Sequence, residues 1–364
     1  MRIKELTAAL EAWAPRSLQE DYDNCGLQVG DPEAVVESAL VCLDCTEAVV
    51  EEAARLGCGL IISHHPVIFR GLKSLSGNSY VERTILAAIK HGIALYAIHT
   101  NLDNVASGVN AEIAARLGLK KLRVLEPKSG QLRKMVVYVP VERAEAVRAA
   151  MFQAGAGRIG NYDECSFNGE GIGTFRAGEG TMPHVGQQGV RHSEPEHRIE
   201  VVVPTASVAA VVTAMVNAHP YEEVAYDLIP VMNVHPDIGA GLVGELDKPL
   251  EESRFLAQVK QAFGLQVIRH TKLLGKPVQK VALCGGSGAF LIGKAKAAGV
   301  DAYLTGDVKY HEFFDADSKL LLADIGHYGS EQFTMNLIQR RLGELFPTFA
   351  VRLTENVTDP IYHY

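Results

Sequence analysis

The residues of this 364-residue sequence best suited to chemistry are two adjacent histidines, His64 and His65, which follow the apolar run Leu60, Ile61, Ile62 and precede Pro66. A run that short, opened by Gly59 and closed by Pro66, predicts a buried strand ending at the histidines. Open α/β sheets place their ligands at carboxyl strand ends. Side chains alternate along a strand, so both imidazoles can act on one centre only where the strand has ended and the chain has turned; Pro66 supplies that turn. Metal ligation is one use of such a pair, and a pair of loop histidines without a partner is the other.

Two further segments decide between these. The strand predicted over Ala94 to Ile98 ends in His99, Thr100, Asn101, Leu102 and Asp103. Asp103 is a candidate ligand, or a cap for the helix expected over Val109 to Leu117. A last strand, Leu320 to Ala323, leads through Asp324, Ile325 and Gly326 to His327, Tyr328, Gly329, Ser330 and Glu331, opening a helix that continues to about Leu345. His327 and Glu331 are four apart and share a helix face. Alternatively Ser330 is an N-cap and Glu331 an acid favoured by the helix dipole. Together His64, His65, Asp103, His327 and Glu331 make three imidazoles and two carboxylates. That exceeds the needs of one tetrahedral ion, and a carboxylate can bridge two, so two divalent metal ions are the natural occupants. Ligation by nitrogen and oxygen without thiolate fits Zn²⁺, Fe²⁺ or Mn²⁺ and does not select among them; Zn²⁺ is the first expectation, with Fe²⁺ and Mn²⁺ as alternatives.

The elements that must position these groups follow from periodicity. Residues 3–14 have helical spacing, with Ile3, Leu6, Leu10 and Trp13 on one face. Asp23 and Asn24 fall in a polar stretch and read either as groups that orient a metal ligand or as turn residues bonded to their own backbone, the turn being preferred. Strand Ala39 to Leu43, helix Glu47 to Leu56 and strand Leu60 to Ile62 form a βαβ unit, so the sheet is expected to be parallel; helix Val81 to His91 leads to the next strand. A polar linker, Glu126 to Gly130, marks a boundary. Beyond it Met135 to Gly155 and Ile199 to His219 repeat one strand–Pro–helix design at a constant offset of 64 residues. With strands at Asp163 to Phe167 and Val224 to Pro230 this completes β-α-β-β-α-β, a ferredoxin-like α+β pattern. Gly178 to Glu196, which lacks periodicity, reads as a mobile loop.

After Gly239, Gly241 and Gly244 the first architecture resumes: helix Leu250 to Phe263, strand Lys280 to Leu283, a turn at Cys284 to Gly288, helix Ala289 to Ala298 and strand Ala302 to Leu304. Val41 to Ser63 matches Leu283 to Thr305 at an offset of 242, which puts Asp307 in the place of His65. Two copies of one α/β lobe are therefore expected, facing each other across a cleft. Gly288, Gly293, Lys294 and Ala295 approach a phosphate-loop pattern, but Ala295 lacks the hydroxyl that holds magnesium.

Composition narrows the function classes. A formal charge of −8 leaves no surplus to neutralise phosphates, so nucleic acid is an unlikely partner. No apolar stretch approaches a membrane span, the first residues lack a signal-peptide core, and six cysteines are too few for a disulfide framework. A cytoplasmic protein is expected. Cys42 and Cys45 have C-x-x-C spacing without a second pair, and read as buried thiols.

Ser63-His64-His65-Pro66, His99-Thr100-Asn101-Leu102-Asp103, Thr305-Gly306-Asp307 and Gly326-His327 with Glu331 resemble the motifs of the NIF-three-like family, also called GTP cyclohydrolase 1 type 2 homologues. The likeness covers nearly the whole chain and includes a central insert similar to the PII/CutA-like domain of the longer bacterial members. It implies two similar α/β lobes, 1–127 and 233–364, forming one NIF-three-like domain around an inserted domain at 128–232. It also implies a dinuclear site made by the five residues above, and a toroidal homohexamer. Two functions follow as expectations. One is metal-assisted hydrolysis of a nucleotide such as GTP, by attack at C8 of the guanine imidazole ring, with Asp307, His99 and His311 as candidates for proton transfer. The other is a metal-dependent ring protein that binds a small-molecule ligand or regulates without catalysis.

Overall fold

The computed structural model describes residues 1–364. The chain divides into two compact units: Met1–Pro127 with Asp237–Tyr364, and Lys128–Pro236. The inserted unit thus closes at Pro236, a few residues beyond the expected boundary at 232.

The first unit contains two sheets. One has five strands in the spatial order Gly26–Val29, Ala94–Ala97, Leu60–Ser63, Ser38–Cys42, Ala350–Leu353; all pair in parallel except the first, an antiparallel edge. Its three central strands are buried at every residue, as strands covered on both faces must be, which is why they read as unbroken apolar runs. The helices Glu47–Arg55 and Tyr80–His91 make the crossovers. Ser79 starts the second by accepting from the Glu82 amide, and Gly92, at φ +65°, ends it.

The other sheet has six strands in the order Arg269–His270, Leu321–Asp324, Ala302–Gly306, Val278–Ser287, Gly239–Leu250, Lys120–Pro127. The second to fourth are parallel, and Gly239–Leu250 runs antiparallel between its two neighbours. A single apolar core that includes Leu6, Leu10, Ile62, Tyr96, Phe255, Leu283, Leu304 and Ile338 draws on both sheets. Carboxyl ends of strands from both sheets therefore meet on one side of this core.

Three expectations about this unit are corrected. Glu126 belongs to the strand Lys120–Pro127, so the linker starts after it. The glycines at 239, 241 and 244 do not interrupt the chain but make the strand Gly239–Leu250 possible. A Cβ at Gly239 would lie 2.1 Å from the Glu126 carbonyl oxygen, and one at Gly241 would lie 2.8 Å from that of Leu283, so close backbone approach on both flanks requires them. The last helix is two helices, His327–Glu331 and Thr334–Leu345, the first capped by Gly326 at φ +78° and not by Ser330.

The second unit is a four-stranded antiparallel sheet, in the order Ser166–Arg176, Arg191–Pro204, Leu132–Pro140, Tyr226–Pro230, with helices Ala144–Gln153 and Val208–Ala218. Its core explains the sequence repeat: Met135 and Ile199, Val137 and Val201, Val147 and Val211, Met151 and Met215 are all buried in one cluster. The loop expected over Gly178 to Glu196 is shorter, because Arg191 to Glu196 continue a strand paired with Gly171 to Arg176. Pro195 disguised this extension. It lies where the strand has a neighbour on one side only, so its missing N–H leaves no ladder bond unmade. No helix of either unit is long and apolar enough to cross a membrane.

Candidate metal centre

The backbone amides of His64 and His65 continue the strand ladder to the carbonyls of Cys42 and Leu43, which fixes where the paired histidines leave the sheet. His64 is fully buried, and its Nδ1 bonds the Ile98 carbonyl at 2.8 Å. His65 Nδ1 bonds Asp44 at 2.7 Å, His99 Nδ1 bonds Asp23 at 2.8 Å, and His327 Nδ1 bonds Asp307 at 2.7 Å. Four imidazoles are therefore each held by one nitrogen, with ring centroids of neighbours 4.9 to 5.3 Å apart. The other nitrogens turn inward. His65 and His327 bring their Nε2 atoms within 3.2 Å of each other, and one oxygen of Glu331 lies 3.0 Å from both. The other Glu331 oxygen lies 3.8 Å from His64 Nε2, and Asp103 Oδ1 lies 3.7 Å from the same nitrogen.

These residues fit a metal. His64 Nε2 and Asp103 Oδ1 are buried without any hydrogen-bond partner, a costly arrangement for polar atoms that a shared cation removes. Candidate donor atoms lie within 4.8 Å of one another in three overlapping groups: His64, His65 and His99; His65, His327 and Glu331; His64, Asp103 and Glu331. Outward hydrogen bonds at Nδ1 are what metal-ligating histidines use to fix tautomer and ring angle.

Without a metal the cluster is electrostatically crowded. Burial pushes the Asp103 carboxyl up to about 7, with His64 offsetting part of the effect and Glu331 adding to it. Burial opposes charge on His65, but the bonds to Asp44 and Glu331 outweigh it and push the imidazole up to about 10. His327 is raised to about 9 in the same way, by Glu331 and Asp307. The three imidazoles hold Glu331 well below the usual carboxylate range despite its burial.

The structure thus brings together all five residues expected as ligands, and adds His99 to them. Asp307 touches this cluster through His327. His311 does not join it: it lies on an exposed helical turn, Tyr310–Ala316, packed against the rings of Tyr310 and Phe314. Asp103 does not cap the following helix, whose N-cap is Gly108. Asp23 is not a simple turn residue either. Its buried carboxylate accepts from His99 Nδ1, the Thr100 amide and the Thr100 hydroxyl. Nor is Asn24 a simple turn residue: its side-chain amide donates to the Ile68 carbonyl at 2.6 Å while its backbone amide donates to the Asp23 carboxylate. Asp44 was missed altogether. All six cysteines are free, and Cys42 and Cys45 are buried. A cavity of about 610 Å³ opens over the cluster, with Tyr22, Phe69, Phe290 and Tyr328 among its walls.

Over residues 1–360 the sequence matches the family described as Duf34/NIF3 (NGG1p interacting factor 3). The chain belongs to the Duf34/NIF3 family. It is 42% identical over 319 residues to a Halalkalibacterium halodurans protein named GTP cyclohydrolase 1 type 2 homolog, covering 87% of this chain and 86% of that protein. A Bacillus subtilis protein of the same name is 38% identical over 360 residues, 98% of this chain and 96% of the relative. Among solved structures, a Bacillus cereus protein related to NIF3 superposes with a TM-score of 0.87 at 38% identity, covering 100% of this chain and 99% of that one.

In this Duf34/NIF3 chain Asp44 and Asp23 act through the imidazoles they hold. Asp44→Asn keeps the shape of the side chain but removes the charge that orients His65. Metal affinity is expected to fall by about 10- to 100-fold, the usual loss when such an outer partner is removed, as measured by competition with a chromophoric chelator. Unchanged affinity would show that the His65–Asp44 bond does not orient the ligand.

Proposed function

We propose that this protein holds two divalent cations, Zn²⁺ in the first instance, between His64, His65, Asp103, His327 and Glu331, and hydrolyses a nucleotide such as GTP. The observation that carries the proposal is the convergence of the imidazoles, each anchored at Nδ1, on the single carboxylate of Glu331. Two such ions, when bound, bring the pKa of water toward neutrality and polarise the centre under attack.

The remaining roles belong to the chain itself. Glu331 meets His65 and His327 with one oxygen and approaches His64 with the other, so it would help hold the cations. His99, with Nδ1 committed to Asp23, would offer Nε2 to the cluster it shares with His64 and His65, as a further ligand or to hold or pass a proton. Asp307, half-exposed at the cavity edge, orients His327 and is the carboxylate nearest to solvent for proton exchange. Tyr22, Phe69 and Phe290 line the cavity with flat apolar surface on which a base can stack. The nucleotide substrate also draws on the printed names of the relatives, which refer to GTP cyclohydrolase.

The same proposal reads the two sheets of the first unit as twin lobes, and the second unit as a ferredoxin-like insert of the PII/CutA kind, supported by its sheet order. A toroidal homohexamer rests on the family resemblance alone and is read from the mass in solution; a cytoplasmic location rests on the composition of the sequence.

The test is a product screen. Protein loaded with Zn²⁺, Mn²⁺ or Fe²⁺ is incubated with GTP and other nucleotides, beside Asp103→Ala treated identically. Metal-dependent product that disappears in the variant supports hydrolysis. Saturable GTP binding without product assigns the protein to ligand binding instead, and equal turnover by the variant overturns the site.

A further inference from the structure

The second unit holds a cavity of its own, about 730 Å³, lined only by residues of that unit. This lies within the range of small-molecule pockets. Its floor is the hairpin of Ser166–Arg176 with Arg191–Pro204, where Gly169, Gly171 and Gly173 stand opposite Arg198, Glu196 and Glu194. Alternate residues of a strand share a face, so three glycines in this spacing strip one face of the strand to backbone. A Cβ at Gly169 or Gly171 would meet nothing within 4 Å. That space is open because no side chain fills it.

The Glu196 carboxylate lies in this cavity. The residue is only 9% exposed. One of its oxygens accepts from the Tyr221 hydroxyl at 2.8 Å, and the other is held over Gly173, 2.1 Å from where a Cβ would be. The neighbouring cation does not neutralise it, because Arg198 pairs with Glu200. A buried carboxylate whose partner is one phenol is under-compensated. Flat apolar surface adjoins it: the Tyr221 ring lies 6.1 Å from Phe175 and 6.3 Å from His184, both of which line the cavity.

We propose that this cavity is a binding site for a small nitrogenous base, an amidine- or guanidine-like group on a flat ring, whose paired N–H donors meet Glu196 while the ring lies along the glycine face against Tyr221 and Phe175. Carboxylates recognise such donor pairs through two parallel bonds. The glycine face gives the ring its place, since any larger side chain at 169 or 171 would occupy it. The site uses none of the residues of the metal centre.

The experiment titrates the full-length protein with benzamidine, using benzoate as the probe of opposite charge, and follows ligand saturation-transfer NMR. Wild type is expected to bind benzamidine saturably and to ignore benzoate. Glu196→Gln, which can keep the Tyr221 bond, is expected to weaken binding by roughly tenfold or more, the scale for losing one charge of a buried pair. Gly171→Leu enters open space with no atom to displace, and should abolish binding while leaving the circular dichroism spectrum and metal content unchanged. Absence of saturable binding at about 10 mM benzamidine, equal binding of benzoate, or full binding by Gly171→Leu would each overturn the proposal.

Discussion

If the centre holds the proposed cations, replacing Glu331 with alanine is expected to remove them, and any turnover that depends on them, while leaving the fold intact. This carboxylate contacts His65 and His327 at 3.0 Å and approaches His64 at 3.8 Å, so no other side chain can substitute for it. Its loss leaves the inward-facing Nε2 atoms with Asp103 as the one carboxylate on their side, since Asp44, Asp23 and Asp307 bond the outward Nδ1 atoms, and burial already disfavours a charged Asp103. Losing an outer partner of a ligand costs about 10- to 100-fold; loss of the shared ligand is expected to exceed that, leaving less than one ion per chain after desalting. Elemental analysis of metal per chain, with the fold checked by circular dichroism, reads the result. Full metal content in Glu331→Ala would end the assignment of the centre. Gly286 offers an independent check, because a Cβ there would lie 2.3 Å from Glu331 Oε1. Gly286→Ala should reproduce part of the loss without altering any ligand.

Acid should release the metals steeply. A ligand imidazole must be neutral to bind, yet in the metal-free protein His65 and His327 are raised to about 10 and about 9 and carry protons at neutral pH. Uptake therefore expels a proton from each. Between about pH 7 and 9 apparent affinity is expected to rise by about a hundredfold for each unit of increasing pH, tenfold per proton displaced, and below about 7, where Asp103 also carries a proton, to fall more steeply still. The slope flattens only above the raised values, where the imidazoles are already neutral. Calorimetric titrations in buffers of different ionisation enthalpy count the protons directly. An affinity independent of pH between roughly 6 and 8 would show that the histidines are not the groups displaced.

How much of this was visible in the sequence depended on whether a residue's role was local. His64, His65 and Asp103 could be read because short apolar runs announce strands, and polar residues just past a strand end are conspicuous. The insert could be read from its repeat, since Val147 and Val211 or Met151 and Met215 do the same packing in each half. Asp44 could not, and Asp23 could be read only as one of two alternatives. Each is a carboxylate in a polar turn, and its meaning comes from a histidine 21 or 76 residues away. The strand Lys120–Pro127 escaped because half of it is exposed and charged, and Gly239–Leu250 because its glycines imitate a break. His311 misled in the opposite way: it follows Asp307 by one helical turn in sequence, but the segment turns it toward solvent among Tyr310 and Phe314.

The residues around the centre are scattered along almost the full polypeptide. His65 meets Glu331 across 266 residues, and Asp44 is itself steadied by the hydroxyl of Thr358, across 314. A ribosome therefore releases the leading histidines long before their carboxylate partner has been synthesised, and the inserted unit can fold in the interval. A nascent chain halted before Thr358 would possess every residue of the cluster, and Asp44 beside His65, yet lack the hydroxyl that steadies Asp44.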